Sequence, residues 1–313
     1  MLLMYGNRRS HSFFKFLLTK KRGSDIINVR KVLLIKTNIG NDGKNIIHSY
    51  EDWIVPVFYF YVIGGKMEIE SLELKTEKEY KEFLDYLFSI RDLEYRDFNT
   101  KIVVPVDCEI IGIRTPILRD IAKKIAKTSS ENFLNLFEKL FIKKKIKYYE
   151  EKVLYGFLIG YSKMEYQDRL KRINFFINII DNWAVCDIVD SSFKFINKNK
   201  EDFYKYLNSK LSATNPWEQR FIFVMLLAYY VEDKYLKDIF KICEKIKSEE
   251  YYVNMAKAWL LSVCYVKYRE ETYKFLEKTK LDAWTVNKAI QKIRESLRVT
   301  KEEKEKILVL KRK

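Results

Sequence analysis

From residue 76 to residue 297, apolar residues recur three and four places apart, with short polar breaks between runs. That is the pattern of successive amphipathic helices. "TEKEYKEFLDYLFSI" reads as one. After an irregular stretch, "RDLEYRDFNTKIVVPVDCEIIGI", comes "TPILRDIAKKIAK", with Thr115 as N-cap and Pro116 at the first helical position. Next are "SENFLNLFEKLFI", "YYEEKVLYGFLIGYSK", "YQDRLKRINFFINII", a helix around Trp183, "KEDFYKYLNSKL" and "PWEQRFIFVMLLAYYV". "DKYLKDIFKICEKIK", "EEYYVNMAKAWLLSVCYVKY", "REETYKFLEKT" and "DAWTVNKAIQKIRESL" complete the series. No strict sequence period is present. Helix pairs of this length and spacing nevertheless predict an all-α, HEAT-like solenoid, whose concave face suits a long, rod-like ligand. A compact helical bundle is the alternative.

Residues 1–75 have a different texture. Six of the nine glycines lie in residues 1–65, and so do both histidines, His11 and His48. "KVLLIKT" and "VPVFYFYVI" read as strands from their β-branched and aromatic content. The expected division is an N-terminal extension with strand-like segments, 1–75, and a helical domain, 76–313.

Charge narrows the partner. Lys and Arg number 59 against 43 Asp and Glu, a net +16 with pI near 9.4. Such a balance favours a polyanion: DNA, RNA or an anionic membrane. An AT-rich genome would enrich lysine, isoleucine and asparagine with no partner at all. "WIVPVFYFYVIGG" falls well short of the roughly 20 residues of a spanning helix. The basic N-terminal stretch has too short an apolar part for a signal peptide. A cytoplasmic monomer is expected, without membrane contact. Cys108, Cys186, Cys243 and Cys264 form no CxxC pair, so reduced thiols are expected, and no zinc or other metal site.

Residues 76–313 contain no histidine, which removes Ser-His-Asp and Cys-His catalysis there. No P-loop or GxGxxG occurs, and no cofactor is expected. If the helical domain is an enzyme, its working group is a carboxylate. In "IIDNWAVCDIVDSS", Trp183, Asp187 and Asp190 stand at i, i+4 and i+7, on one side of a continuous helix. Trp217 and Arg220 stand at i and i+3 of a helix start, where phosphate is favoured. Trp259 lies in a later helix. The plain alternatives are core tryptophans, an ordinary salt bridge for Arg220 and solvated carboxylates. Their concurrence on neighbouring helices suits hydrolysis of an N-glycosidic bond. A carboxylate stabilises an oxocarbenium-like sugar, aromatic faces attract a cationic base, and lysine and arginine hold phosphates. Nearby cations are expected to keep that carboxylate ionised.

The stretches "IIGIRTPILRDIAKKI", "YGFLIGYSK", "DNWAVCDIVDSS", "NPWEQRFIFVMLL" and "EYYVNMAKAWLL" together resemble the AlkD-like DNA alkylation repair proteins, over about residues 80–298. The resemblance implies a solenoid that cradles duplex DNA containing alkylated bases. In active members it implies metal-free excision of cationic alkylpurines, with the lesion left stacked. It also implies an aspartate that stabilises the sugar cation, two tryptophans on the lesioned nucleotide and an arginine on the backbone. The arginine falls on Arg220 and the later tryptophan on Trp259. The aspartate falls on Asp190 through "DIVD", but the aromatic expected four residues earlier is then Cys186. The other register pairs Trp183 with Asp187; Asp190 is the expected catalytic carboxylate and Asp187 the alternative. The readings in contention are a glycosylase, a non-catalytic binder of damaged or branched DNA, and a protein-binding scaffold.

Overall fold

A computed structural model describes residues 2–6, 13–17, 69–103 and 108–313. The chain divides into two units, 1–68 and 69–313. In the first, β1 (Leu2–Gly6) pairs antiparallel with β2 (Phe13–Leu17), Leu2 opposite Leu17. The expected strands "KVLLIKT" and "VPVFYFYVI" lie outside the described residues.

The second unit is all-α among its described residues. Its helices are α1 (Glu77–Ser89), α2 (Leu93–Ile102), α3 (Thr115–Thr128), α4 (Ser130–Ile142), α5 (Tyr149–Tyr161), α6 (Tyr166–Ile179) and α7 (Trp183–Ile188). There follow α8 (Lys200–Ser209), α9 (Pro216–Tyr229), α10 (Asp233–Lys245), α11 (Tyr251–Lys267), α12 (Arg269–Lys278), α13 (Ala283–Glu295) and α14 (Lys301–Lys306). Short 3-10 turns occupy Asp190–Ser192, Lys194–Lys198 and Ile307–Leu310.

Packing follows a repeat. Next-but-one helices lie side by side: α3 with α5, α9 with α11, α11 with α13, and α7 between α5 and α9. This makes one row of alternate helices. The row is legible in the sequence. Every residue from Tyr149 to Ile159 of α5 is buried, and every residue from Gln219 to Leu226 of α9. Helices apolar all round, such as "VLYGFLI" and "FIFVMLL", belong inside. α10 instead buries a single stripe, Tyr235, Leu236, Ile239, Ile242 and Cys243, as a helix with one solvated side does. The fold is thus an all-α helical repeat, as the periodicity predicts.

Four local differences have physical causes. The stretch expected to be irregular contains α2, capped by the Asp92 carboxylate accepting from the Tyr95 amide at 2.9 Å. α2 buries only Asn99, so it has no apolar stripe to read. The N-cap of α3 is Arg114, not Thr115, and its guanidinium pairs with Asp92 at 2.8 Å. α7 ends at Ile188 and Asp190 opens a 3-10 turn, so the i+7 position is not one more turn along the same helix. α14 lies past the last helix expected; its "KEEKEK" buries nothing, and Ile307 just beyond it anchors the segment.

The turn after α7 is pressed against α5. A Cβ on Gly160 would lie 2.6 Å from the Ser192 carbonyl oxygen and 2.3 Å from its Oγ. Backbone there cannot yield without shifting the turn. Gly160→Ala is therefore expected to destabilise the protein by about 1–3 kcal/mol, the usual scale of overpacking. Urea unfolding of the variant against the parent measures this.

Candidate active site

The site begins with an N-cap. The Asn182 side chain accepts from the Val185 amide at 3.0 Å and starts α7. Ala184, Val185 and Cys186 then face the core, which leaves Trp183 and Asp187, four residues apart, on the half-exposed side. Trp183 is held by its indole N–H, which donates to the Ile102 carbonyl of α2 at 3.1 Å.

Asp187 is bound by Arg220 in a two-pronged pair across α7 and α9. Nε donates to Oδ1 at 2.9 Å and Nη2 to Oδ2 at 2.6 Å. The third arm, Nη1, donates to the Tyr252 carbonyl of α11 at 2.5 Å. One guanidinium thus ties three adjacent helices of the row. The pair is well enclosed, with side-chain exposures of 4% for Arg220 and 13% for Asp187. Burial pushes the Asp187 carboxyl above its ordinary range, while Arg220 pulls it back. Burial opposes the Arg220 charge too, but the bonded carboxylate more than offsets that and raises its pKa.

Asp190 has a different setting. Its Oδ1 accepts from the Ser191 amide and its carbonyl accepts from the Tyr229 hydroxyl. Arg119 of α3 lies close, donating to the Ile188 carbonyl at 2.8 Å and to the Tyr161 hydroxyl at 3.2 Å. Burial raises the Asp190 carboxyl above its ordinary range; Ser191 opposes this, the neighbouring Asp187 carboxylate adds to it, and Arg119 opposes it. For both aspartates, burial outweighs the cations that the sequence leads one to expect in control.

The tryptophans fall out as follows. Trp217 is half-buried at the start of α9, its ring 5.5 Å from that of Tyr252. Trp259 is half-buried on α11, two turns after Tyr252 and on the same face. The structure therefore brings Asp187, Arg220 and, through Tyr252, Trp217 together. It gives Arg220 an immediate partner other than the phosphate that the sequence reading assigned. The Cys186 thiol is fully buried, so that position faces the core, while Trp183 and Asp187 share the half-exposed side of α7. Sequence reasoning passed over Tyr252, Tyr229 and Arg119. Tyr252 had a signal, its helical spacing from Trp259; Arg119 had none beyond lying in a basic helix.

A stack of next-but-one helices with a carboxylate, an arginine and half-exposed tryptophans on neighbouring members defines a class of helical-repeat protein. The family model described as DNA alkylation repair enzyme matches residues 74–293, and the chain belongs to that family. It is accordingly a DNA repair protein, and DNA is its partner. No curated protein matches it. No helix among the described residues is long and apolar enough to cross a membrane.

Removing Arg220 would leave an unpaired carboxyl in a mostly enclosed place. Arg220→Ala is expected to cost about 3–5 kcal/mol of stability. Asp187→Asn in the same background should return part of that loss, because the stranded charge is gone. Thermal unfolding of the two variants tests both statements; an unchanged melting point for Arg220→Ala would show the pair to be structurally idle.

Proposed function

We propose that this protein removes cationic N-alkylated purines from duplex DNA by hydrolysis of the N-glycosidic bond, with Asp187 as the working carboxylate. The observation that carries the reading is the Asp187–Arg220 pair, fixed at 2.6 and 2.9 Å beside Trp183 on the same half-exposed side of α7. An electrostatic group stabilises a transition state best when it is already oriented and needs no rearrangement. Arg220 supplies that orientation. Asp190 is the lesser candidate in this proposal, because the helix ends before it and its carboxyl is turned to its own backbone.

In the reaction, the bond between the anomeric carbon and the purine nitrogen breaks, and the base leaves with the electron pair. A ring-alkylated purine is cationic, so it departs neutral and needs no proton. The deoxyribose becomes oxocarbenium-like and Asp187 stabilises its positive charge. Water adds to the anomeric carbon and gives up one proton to solvent. Trp183 and Trp259 offer faces to the cationic base. Arg220, 4% exposed and bonded to Asp187 and the Tyr252 carbonyl, acts here by orienting Asp187. No metal or cofactor enters this scheme.

Phosphate contacts elsewhere come from surface cations. Lys143 and Lys145 of the basic run "KKKIK" both pair with Glu77, at 3.0 and 2.5 Å, yet remain 57% and 52% exposed. Exposed pairs of this kind contribute little, so a phosphate can replace the carboxylate. One observation favours the second reading, a protein that binds damaged DNA without cutting it: both Asp187 oxygens are engaged by Arg220 and its side chain is only 13% exposed.

Single-turnover release of N7-methylguanine from duplex DNA separates the readings. Asp187→Asn is expected to slow release by about 10²–10³ and to leave DNA affinity equal or higher. Asp190→Asn should have the smaller effect. Should neither variant be slower, or the parent release nothing, the binding-only reading takes over. Acidification offers a second check. The carboxylate is the working form, so the rate should be full above the folded-state pKa of Asp187 and fall as pH drops through it. The midpoint should lie above the ordinary aspartate value of 3.8, because burial raises it. A midpoint below that value contradicts the assignment. DNA affinity should also fall steeply with salt, as counterion release requires.

A further inference from the structure

The chain beyond residue 293 is outside the family match, yet it is folded firmly onto the repeat. Ile307 is fully buried. Arg312 donates to the carbonyls of Leu281 and Thr279 at 2.7 Å each and of Leu276 at 3.2 Å. Its backbone exchanges two hydrogen bonds with the Asn287 side chain, at 2.8 and 2.9 Å. Glu303 pairs with Arg269 at 2.7 Å. The segment is a fixed wall, not a tail.

Between that wall and α13 lies an open cleft of about 830 Å³. Five cations line it, Lys288, Arg294, Lys301, Lys304 and Lys311, against two carboxylates, Glu295 and Glu305. Both carboxylates are already engaged, Glu295 by Lys292 at 2.8 Å and Glu305 by Arg294 at 3.5 Å. The aromatic in the cleft is Trp284, 40% exposed, with Lys288 5.5 Å from its ring centroid. Tyr251, 54% exposed, meets Trp284 edge to face at 5.5 Å. Two large exposed aromatics beside a row of lysines are not accounted for by packing; Trp284 and Tyr251 add nothing to the buried core.

We propose that this cleft binds an unpaired DNA strand, with a base stacked on Trp284 and backbone phosphates held by Lys301, Lys304 and Lys311. The chemistry distinguishes this ligand from a duplex. Paired bases are already stacked on both faces and offer an aromatic ring nothing but their edges. An unpaired base has a free face, and stacking on tryptophan with lysines tracking the phosphates is the usual mode of single-strand binding. The site would hold a tail, a gap or a branch lying beyond the repaired duplex. It rests on DNA as partner and is independent of base excision.

The test is fluorescence anisotropy of a labelled oligothymidylate with the full-length protein, with tryptophan fluorescence followed in parallel. The parent is expected to bind, to lose tryptophan emission on binding, and to weaken as salt rises. Trp284→Ala should weaken binding by about 5- to 100-fold, the range for loss of one stacked base, and should remove most of the quench. The double variant Lys301→Glu/Lys304→Glu should weaken binding and flatten the salt slope. Base release from blunt alkylated duplex should be unchanged in both variants, which separates failure here from failure of the excision reading. The proposal is overturned if the parent does not bind oligothymidylate, if Trp284→Ala binds it equally well, or if blunt duplex displaces it completely.

Discussion

A guanidinium that is 4% exposed must find partners inside the protein, and that constraint organises the centre of this repeat. Arg220 finds two carboxylate oxygens on α7 and one carbonyl on α11. The cost of removing a positive charge from water is large and is repaid only when such bonds are short and well directed. Their geometry fixes how α7, α9 and α11 sit against one another. Apolar packing and the directed ion pair together hold these helices in register. Trp183, Trp217, Tyr252 and Trp259 are half-buried on the helices that this pair joins.

The two aspartates of "CDIVD" show how local geometry assigns different work to like groups. Asp187 is on the last helical turn of α7 and meets an arginine; Asp190 is on a tight turn, where its carboxylate accepts from the Ser191 amide and its backbone carbonyl from the Tyr229 hydroxyl. The turn is held from the other side by Gly160, where no side chain would fit. Burial raises both carboxyls, and the Asp187 carboxylate adds to the cost of ionising Asp190. Such a pair of acids is a poor stabiliser of the folded state near neutral pH. A raised carboxyl pKa stabilises folding only at acid pH, and that contribution is lost as pH rises through it.

The sequence displayed the helices whose burial is apolar and periodic, from α1 through α13 with α2 excepted. It was silent where a helix is built from polar residues: α2 rests on an Asp92 cap, and α14 on the anchor that follows it. At the site, the four-residue spacing of Trp183 and Asp187 was legible because both lie on one helix. The seven-residue spacing to Asp190 misled, since nothing in "DIVD" announces that the helix stops at Ile188. Arg220 was visible as an arginine near a helix start, but its partner is 33 residues away in sequence. Pattern alone cannot decide whether such a guanidinium turns outward to a phosphate or inward to a carboxylate. Cys186 was ambiguous for the same reason; only three-dimensional burial shows that it belongs to the core.

The distribution of charge bears on how DNA can be held. Many of the basic side chains already face carboxylates, as Lys143 and Lys145 face Glu77, and the well-enclosed Arg220–Asp187 pair is locally neutral. A phosphate approaching that neutral pair meets no net attraction from it, only hydrogen bonds that require the right position. Long-range attraction must come from exposed cations elsewhere, which draw the polyanion in without fixing its register. Charge that acts at a distance and charge that fixes helix geometry are thus carried by different residues: exposed lysines supply the field, and the arginine clamped between α7 and α11 holds helices together. With a net charge of +16, the chain as a whole attracts a polyanion wherever its exposed cations are not already matched by carboxylates.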